Sequence, residues 1–163
     1  ITYLSHQGWY KNSIESALLS EKIAIALNLS VIQIGNKSCT NKKITKSISN
    51  LRPDGVKEVF DKTKYIVSLS HYEGFPLFII EALSRGCIAI LSNIKAHQEI
   101  FKKHPNQVLL VPHAPMILSD INSYLKDLKN IKFNFDKKNF YQYKTEKFIN
   151  RSINKLEYII SRK

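Results

Sequence analysis

The chain has 163 residues, 44% of them hydrophobic and 23% charged, a balance far from that of disordered or membrane-embedded chains. No apolar run approaches the roughly 20 residues that span a bilayer, and the length suits one compact domain over residues 1–163. With 25 basic and 13 acidic residues, the formal charge of +12 suits phosphates, anionic lipid or nucleic acid, without choosing among them.

In chain order, apolar segments alternate with amphipathic ones, the pattern of strands and crossover helices in a parallel sheet. Ile1–Ser5 reads as a strand that begins at once, without a leader pattern and from a residue other than Met. The chain therefore looks cut from something longer. Asn12 is placed to cap a helix to about Asn28, with Ile14, Ala17, Leu18, Ala24 and Ile25 on one face and Glu21 interrupting the stripe. Ser30–Ile34 is the second strand, Gly35–Lys43 a polar loop, and Ile44–Leu51 the third strand. Pro53 then opens a short helix to Lys62.

Tyr65–Ser70 reads as a strand, Pro76–Arg85 as a helix closed by Gly86, and Cys87–Ser92 as another strand. A helix near Lys95–Lys103, a strand at Val108–Val111 and a helix near Ile117–Lys129 follow. The tail, about 135–161, carries Ile149, Ile153, Leu156 and Ile160 at helical spacing and reads as terminal amphipathic helices. The fold class expected is α/β, a doubly wound parallel sheet, whose ligands gather at the carboxyl ends of the strands. Cys39 and Cys87 match neither a disulfide framework nor a metal-ligand spacing, so a reducing, cytoplasmic setting is expected. No histidine cluster has ligand spacing, so no metal site is expected. The lysines are spread along the chain with abundant Asn and Ile, which leaves a compositional bias and a functional patch both open.

The segment His71-Tyr-Glu-Gly-Phe-Pro-Leu-Phe-Ile-Ile-Glu81-Ala-Leu-Ser-Arg-Gly86 carries the strongest signal. A strand, a glycine-containing turn and a helix place a helix N-terminus at the strand's carboxyl end. There, exposed amides and the positive end of the helix dipole hold phosphate. Gly74 allows a tight turn and close approach of a ligand to the backbone. Pro76 has no N–H, so the donors expected are Leu77 and Phe78, with Phe75 a further candidate. At 100° per residue Ile79, Ala82 and Leu83 face the sheet, and Glu81, Ser84 and Arg85 face away. Glu81 taken alone has two readings, a carboxylate for a ribose diol or a surface residue paired with Arg85 at i, i+4, and the second is the simpler.

Glu73-x7-Glu81, set in Glu-Gly-Phe-Pro-Leu-x3-Glu-Ala-Leu-x2-Gly and followed by a strand, resembles the signature of the retaining GT-B glycosyltransferases called family 4. The resemblance implies the donor-binding, carboxyl-terminal half of a two-domain enzyme. Glu81 would hold the ribose of a nucleoside-diphosphate sugar, Glu73 would lie beside the donor sugar, and the backbone after it would receive the diphosphate. The family's basic pair after the first strand, usually Arg and a Lys five residues on, is matched here by His6 and Lys11. Lys11 fits; His6 loses the bidentate fork of arginine and its fixed charge. The nucleobase would lie near Leu51 and Arg52, with Arg52 either stacked on it or solvated.

These assignments imply sugar transfer to an acceptor hydroxyl in polysaccharide or glycan synthesis, with Lys11 and Glu73 at the reacting centre. The nucleotide sugar would be substrate and no cofactor is needed. The acceptor would bind mostly on a missing amino-terminal domain, so this half alone is expected to be inactive. A second reading is an inactive glycosyltransferase-like module that holds a nucleotide or partner. Peripheral contact with an anionic membrane, at the inner face, is a further partner suggested by charge; nucleic acid is not expected, because no motif for it is present.

Overall fold

The computed structural model describes residues 1–35 and 44–112, together with Leu125, Lys126 and Leu128. The expected 36–43 loop, which contains Cys39, the rest of the 117–129 helix and the 135–161 tail lie outside the described residues. Six strands form one parallel sheet: β1 (Thr2–Leu4), β2 (Val31–Ile34), β3 (Thr45–Ile48), β4 (Tyr65–Ser68), β5 (Ile88–Ser92) and β6 (Val108–Val111). Their spatial order is β3-β2-β1-β4-β5-β6, with Thr2 of β1 in register with Ile32 on one side and Ile66 on the other. The chain thus leaves the centre of the sheet in both directions, and the switch point falls between β1 and β4. Open parallel sheets bind ligands in the crevice at the carboxyl ends of such a pair.

Four helices, α1 (Ser13–Leu27), α2 (Pro53–Asp61), α3 (Leu77–Ser84) and α4 (Lys95–Lys103), supply the crossovers. Two apolar clusters flank the sheet. One joins Tyr3, Ile23, Val67 and Ile90 with Leu128, and the other joins Phe60, Ile66, Ile79, Leu83 and Leu91. The central strands are buried along nearly their whole length, as expected where helices cover both faces. Proline at the start of α2 and Gly86 at φ 91° after α3 act as their residue types predict.

The face of α1 departs from the apolar periodicity. Ser13, Ser16, Ala17, Leu19, Ser20, Ile23 and Ala24 are buried, whereas Ile14, Leu18 and Ile25 are exposed. Small residues bring the helix close to the sheet, and the serine hydroxyls are satisfied locally. Ser20 Oγ donates to the Ser16 carbonyl at 2.7 Å, and Ser16 Oγ donates to that of Asn12 and accepts the Leu69 amide at 3.0 Å. Asn12 occupies the cap position in a left-handed conformation, but its side-chain amide reaches Glu15 instead of closing on a backbone amide. Glu21, the interruption in the expected stripe, accepts a hydrogen bond from Thr45 at the start of β3. It pins the helix to the sheet edge.

Candidate active site at the switch point

The loop after β1 is tightly built. The Gly8 N–H donates to His6 Nδ1 at 3.0 Å, Lys11 N–H to the Gly8 carbonyl at 3.0 Å, and Asn12 N–H to the Trp9 carbonyl at 3.1 Å. Ser13 Oγ accepts the His6 amide and donates to the His6 carbonyl. Because His6 Nδ1 accepts a hydrogen bond, the neutral ring carries its proton on Nε2, which leaves one donor for a ligand. The loop after β4 is tied to this one by the His71 N–H, which donates to the Tyr10 carbonyl at 2.7 Å.

Between the loops, Lys11 Nζ meets both oxygens of Glu73 at 2.8 Å, and Ser70 Oγ donates to Glu73 Oε1 at 2.8 Å. The pair is only partly wet, with side-chain exposures of 22% for Lys11 and 9% for Glu73. Two residues 62 positions apart, singled out separately from the sequence, are therefore in contact. The Ser70 carbonyl is itself held by Ser92 Oγ of β5.

That hydroxyl has its proton committed, so it can only accept from His97 Nδ1, 3.2 Å away, and the Ser92 carbonyl at 2.9 Å likewise only accepts. His97 thus carries its proton on Nδ1. It is fully buried, and burial holds its pKa below the usual histidine value. Burial, with Lys103 adding to it, does the same for His104. A base that protonates less readily folded than unfolded contributes stability above the unfolded value, near 6.5, and loses it as pH falls toward the folded value. The melting temperature is expected to drop between pH 7 and pH 5, and His97→Gln to shrink that drop; a flat profile in that window would count against it.

Two hollows open at the carboxyl ends of the strands. One, of about 230 Å³, is lined by Lys11, Ser70, Glu73, Phe75, Leu77 and Phe78 among others. The second, of about 540 Å³, is lined by His6, Gln7, Gly35, Asn50 and Leu51. Leu4 lines both, so they adjoin across the end of β1. Arg52, Gly74 and Glu81 line neither. Arg52 precedes α2 and is exposed.

The N-terminus of α3 differs from the expected donor set. Pro76 sits at φ −81°, ψ 74°, and the Leu77 N–H turns back to the Phe75 carbonyl at 2.9 Å, an inverse γ-turn. Leu77 is therefore not an available donor. Ile79 and Ile80 amides both reach the Pro76 carbonyl, which leaves the Phe78 N–H unpartnered among the described residues. Gly74 lies at a bend between β4 and α3 without taking a positive φ. A Cβ there would meet nothing within 4 Å; the space beside its backbone is open to a ligand.

Glu81 is exposed, and the i, i+4 pair with Arg85 is absent. Arg85 turns to Asp61 of α2, with Nε–Oδ1 and Nη2–Oδ2 both at 2.6 Å. Cys87 is buried beneath this pair's helices, its thiol donating to the Thr63 carbonyl at 3.2 Å. Burial pushes its pKa up to about 12, so it is unreactive.

Gly35 was legible only as part of a polar loop. It has φ 121°, and a Cβ would run into the Ser5 carbonyl oxygen. The glycine lets the end of β2 close against β1 where the second hollow forms. Its position directly after a predicted strand was the available signal.

Among the described residues there is no cluster of three metal-ligating side chains and no helix long and apolar enough to cross a membrane. Three solved structures share the fold. A structure described as TarM superposes with a TM-score of 0.69 at 17% identity, over 94% of this chain and 34% of its own. The pneumococcal O-GlcNAc transferase GtfA, solved with UDP and GlcNAc, gives 0.69 at 12%, over 98% and 35%. WaaG, a glycosyltransferase involved in lipopolysaccharide biosynthesis, gives 0.58 at 12%, over 87% and 41%. The chain thus spans about a third of the length of the first two. A comparison with curated proteins gave no match. The family model for glycosyl transferases group 1 matches residues 36–141, and with a six-stranded parallel sheet of the GT-B kind behind it, the chain belongs to that family.

Proposed function

We propose that this chain is the donor-binding half of a retaining glycosyltransferase of polysaccharide or glycan synthesis, which takes a sugar from a nucleoside diphosphate to an acceptor hydroxyl. The observation that carries the reading is the convergence, in one hollow at the switch point, of the Lys11 ammonium, the Glu73 carboxylate and the N-terminus of α3. Departure of a diphosphate develops negative charge, and fixed donors aimed at it lower the barrier. Lys11 and the Phe78 amide supply that charge and hydrogen bonding, and His6 Nε2 adds a donor from the wall of the second hollow. Glu73 orients the sugar. The base lies in the second hollow by Leu51, and Glu81, on the outer face of α3, takes the ribose hydroxyls.

In the free protein Lys11 is held by Glu73, so a bound diphosphate must share the ammonium with it or draw it away. Glu73 is also held by Ser70 Oγ at 2.8 Å. Contact with an anionic membrane surface is a proposal resting on the charge of +12, and a cytoplasmic site one resting on the lack of a disulfide framework in the sequence. The acceptor-binding partner domain is likewise inferred, as is inactivity of this half alone.

Calorimetry with a panel of UDP- and GDP-sugars tests the reading. Glu81 has no ion-pair partner among the described residues, so Glu81→Ala leaves the fold intact. Loss of charge-assisted bonds to the ribose is expected to weaken the nucleotide by about 10- to 100-fold. Unchanged affinity in the Glu81→Ala protein would sink the ribose assignment.

A further inference from the structure

A group of aromatic rings lies against the rim of the smaller hollow and lines neither hollow. Trp9 is 79% exposed; its ring lies 6.0 Å from that of His71, tilted by 33°, and meets Tyr10 edge-on at 6.4 Å. Tyr10 carries the Lys11 ammonium 5.6 Å from its ring centre. One side chain therefore joins the rings to the Lys11–Glu73 pair. The shelf is preorganised by the closed turn at Trp9–Lys11 and by the His71 amide on the Tyr10 carbonyl. Glycine at position 8 makes room for the Tyr10 ring, into which a Cβ would press.

A rigid indole left in water at the edge of a polar cleft contributes little to a core; such exposed rings mark ligand surfaces. The geometry points to the Trp9–His71 shelf as an acceptor subsite, where a saccharide stacks its apolar C–H face on the indole and presents a hydroxyl toward Glu73. The class of ligand follows from the surroundings. The indole is neighboured by the His71 imidazole and by the Tyr10 ring, over which the Lys11 ammonium lies. A sugar ring has apolar faces and a hydroxylated edge, which match a flat ring set among hydrogen-bonding side chains. The location follows from adjacency: the rings line neither hollow, yet Tyr10 joins them to the Lys11–Glu73 pair.

The inference rests on the donor-site reading above. It is tested on the full-length protein with chitotriose, cellotriose and mannotriose, observed by saturation-transfer NMR, and with UDP and GDP by calorimetry. At least one trisaccharide is expected to bind, and Trp9→Ala to weaken it by about 3- to 10-fold, while Trp9→Phe keeps a stacking face and stays within about twofold. Both variants are expected to hold UDP or GDP as the parent protein does. The subsite is overturned if no trisaccharide binds, if binding ignores Trp9→Ala, or if nucleotide affinity falls in parallel, which would place the ring in the donor site or the fold. Parent protein that binds neither UDP nor GDP overturns the donor-site reading instead, and the nucleotide arm tells the two failures apart.

Discussion

Replacing Lys11 with Met is expected to cut sugar transfer by the full-length protein by about 10²- to 10³-fold, the usual cost of removing one preorganised donor to developing negative charge. Its ammonium is the single cationic side chain among the described residues that lines the hollow containing Glu73. Methionine keeps the stem and removes the charge. Nucleotide affinity should change much less than the turnover rate, because the interaction strengthens as the diphosphate leaves. The substitution also strips a partner from Glu73, whose side chain is 9% exposed, so some loss of stability comes with it. Adding Glu73→Gln to Lys11→Met separates the effects: the double variant should recover stability and remain inactive. Transfer within tenfold of the parent in Lys11→Met would remove Lys11 from the reacting centre.

Gly35→Ala is expected to destabilise the fold by about 3 kcal/mol or more, since a side chain at φ 121° occupies a region nearly reserved for glycine and its Cβ also meets a backbone oxygen. Neither neighbour can yield cheaply. The Ser5 N–H is bound to the Ile34 carbonyl at 2.7 Å, and the Gly35 N–H to that of Ile48 at 2.9 Å, so relief of the clash breaks the ladder joining β1, β2 and β3. For a domain of this size, a melting temperature lower by about 6–12 °C is the corresponding readout. Since Gly35 and Ser5 both line the larger hollow, nucleotide affinity should fall with it. A melting temperature within a degree or two of the parent would show that the β2 end is looser than its geometry implies.

The centre of the sheet was legible because β4 and β5 are buried on both faces and read as apolar runs, and because proline and glycine mark the ends of α2 and α3. The 65–84 segment was legible for a different reason: strand, turn and helix lie within about 20 consecutive residues, so local geometry fixes how they meet. The α1 face was misread because close packing against the sheet selects Ser and Ala, which leave no apolar signature, while Ile14, Leu18 and Ile25 outside it do. The Leu77 amide was misassigned because the γ-turn at Pro76 depends on backbone angles that proline permits and does not dictate.

The order of apolar and amphipathic segments determined by itself a parallel α/β sheet, and the Glu73–Glu81 segment pointed to the strand end at which we propose the donor site. Only the tertiary structure decided that Lys11 closes on Glu73, that Arg85 leaves Glu81 for Asp61, and that Trp9 stands exposed beside the cleft. Those contacts join residues 62 and 24 positions apart or hang on which face of a loop turns outward. Pattern along the chain reports on neighbours within a strand or a helical turn; pairing across the switch point is set by strand order, which no local pattern encodes.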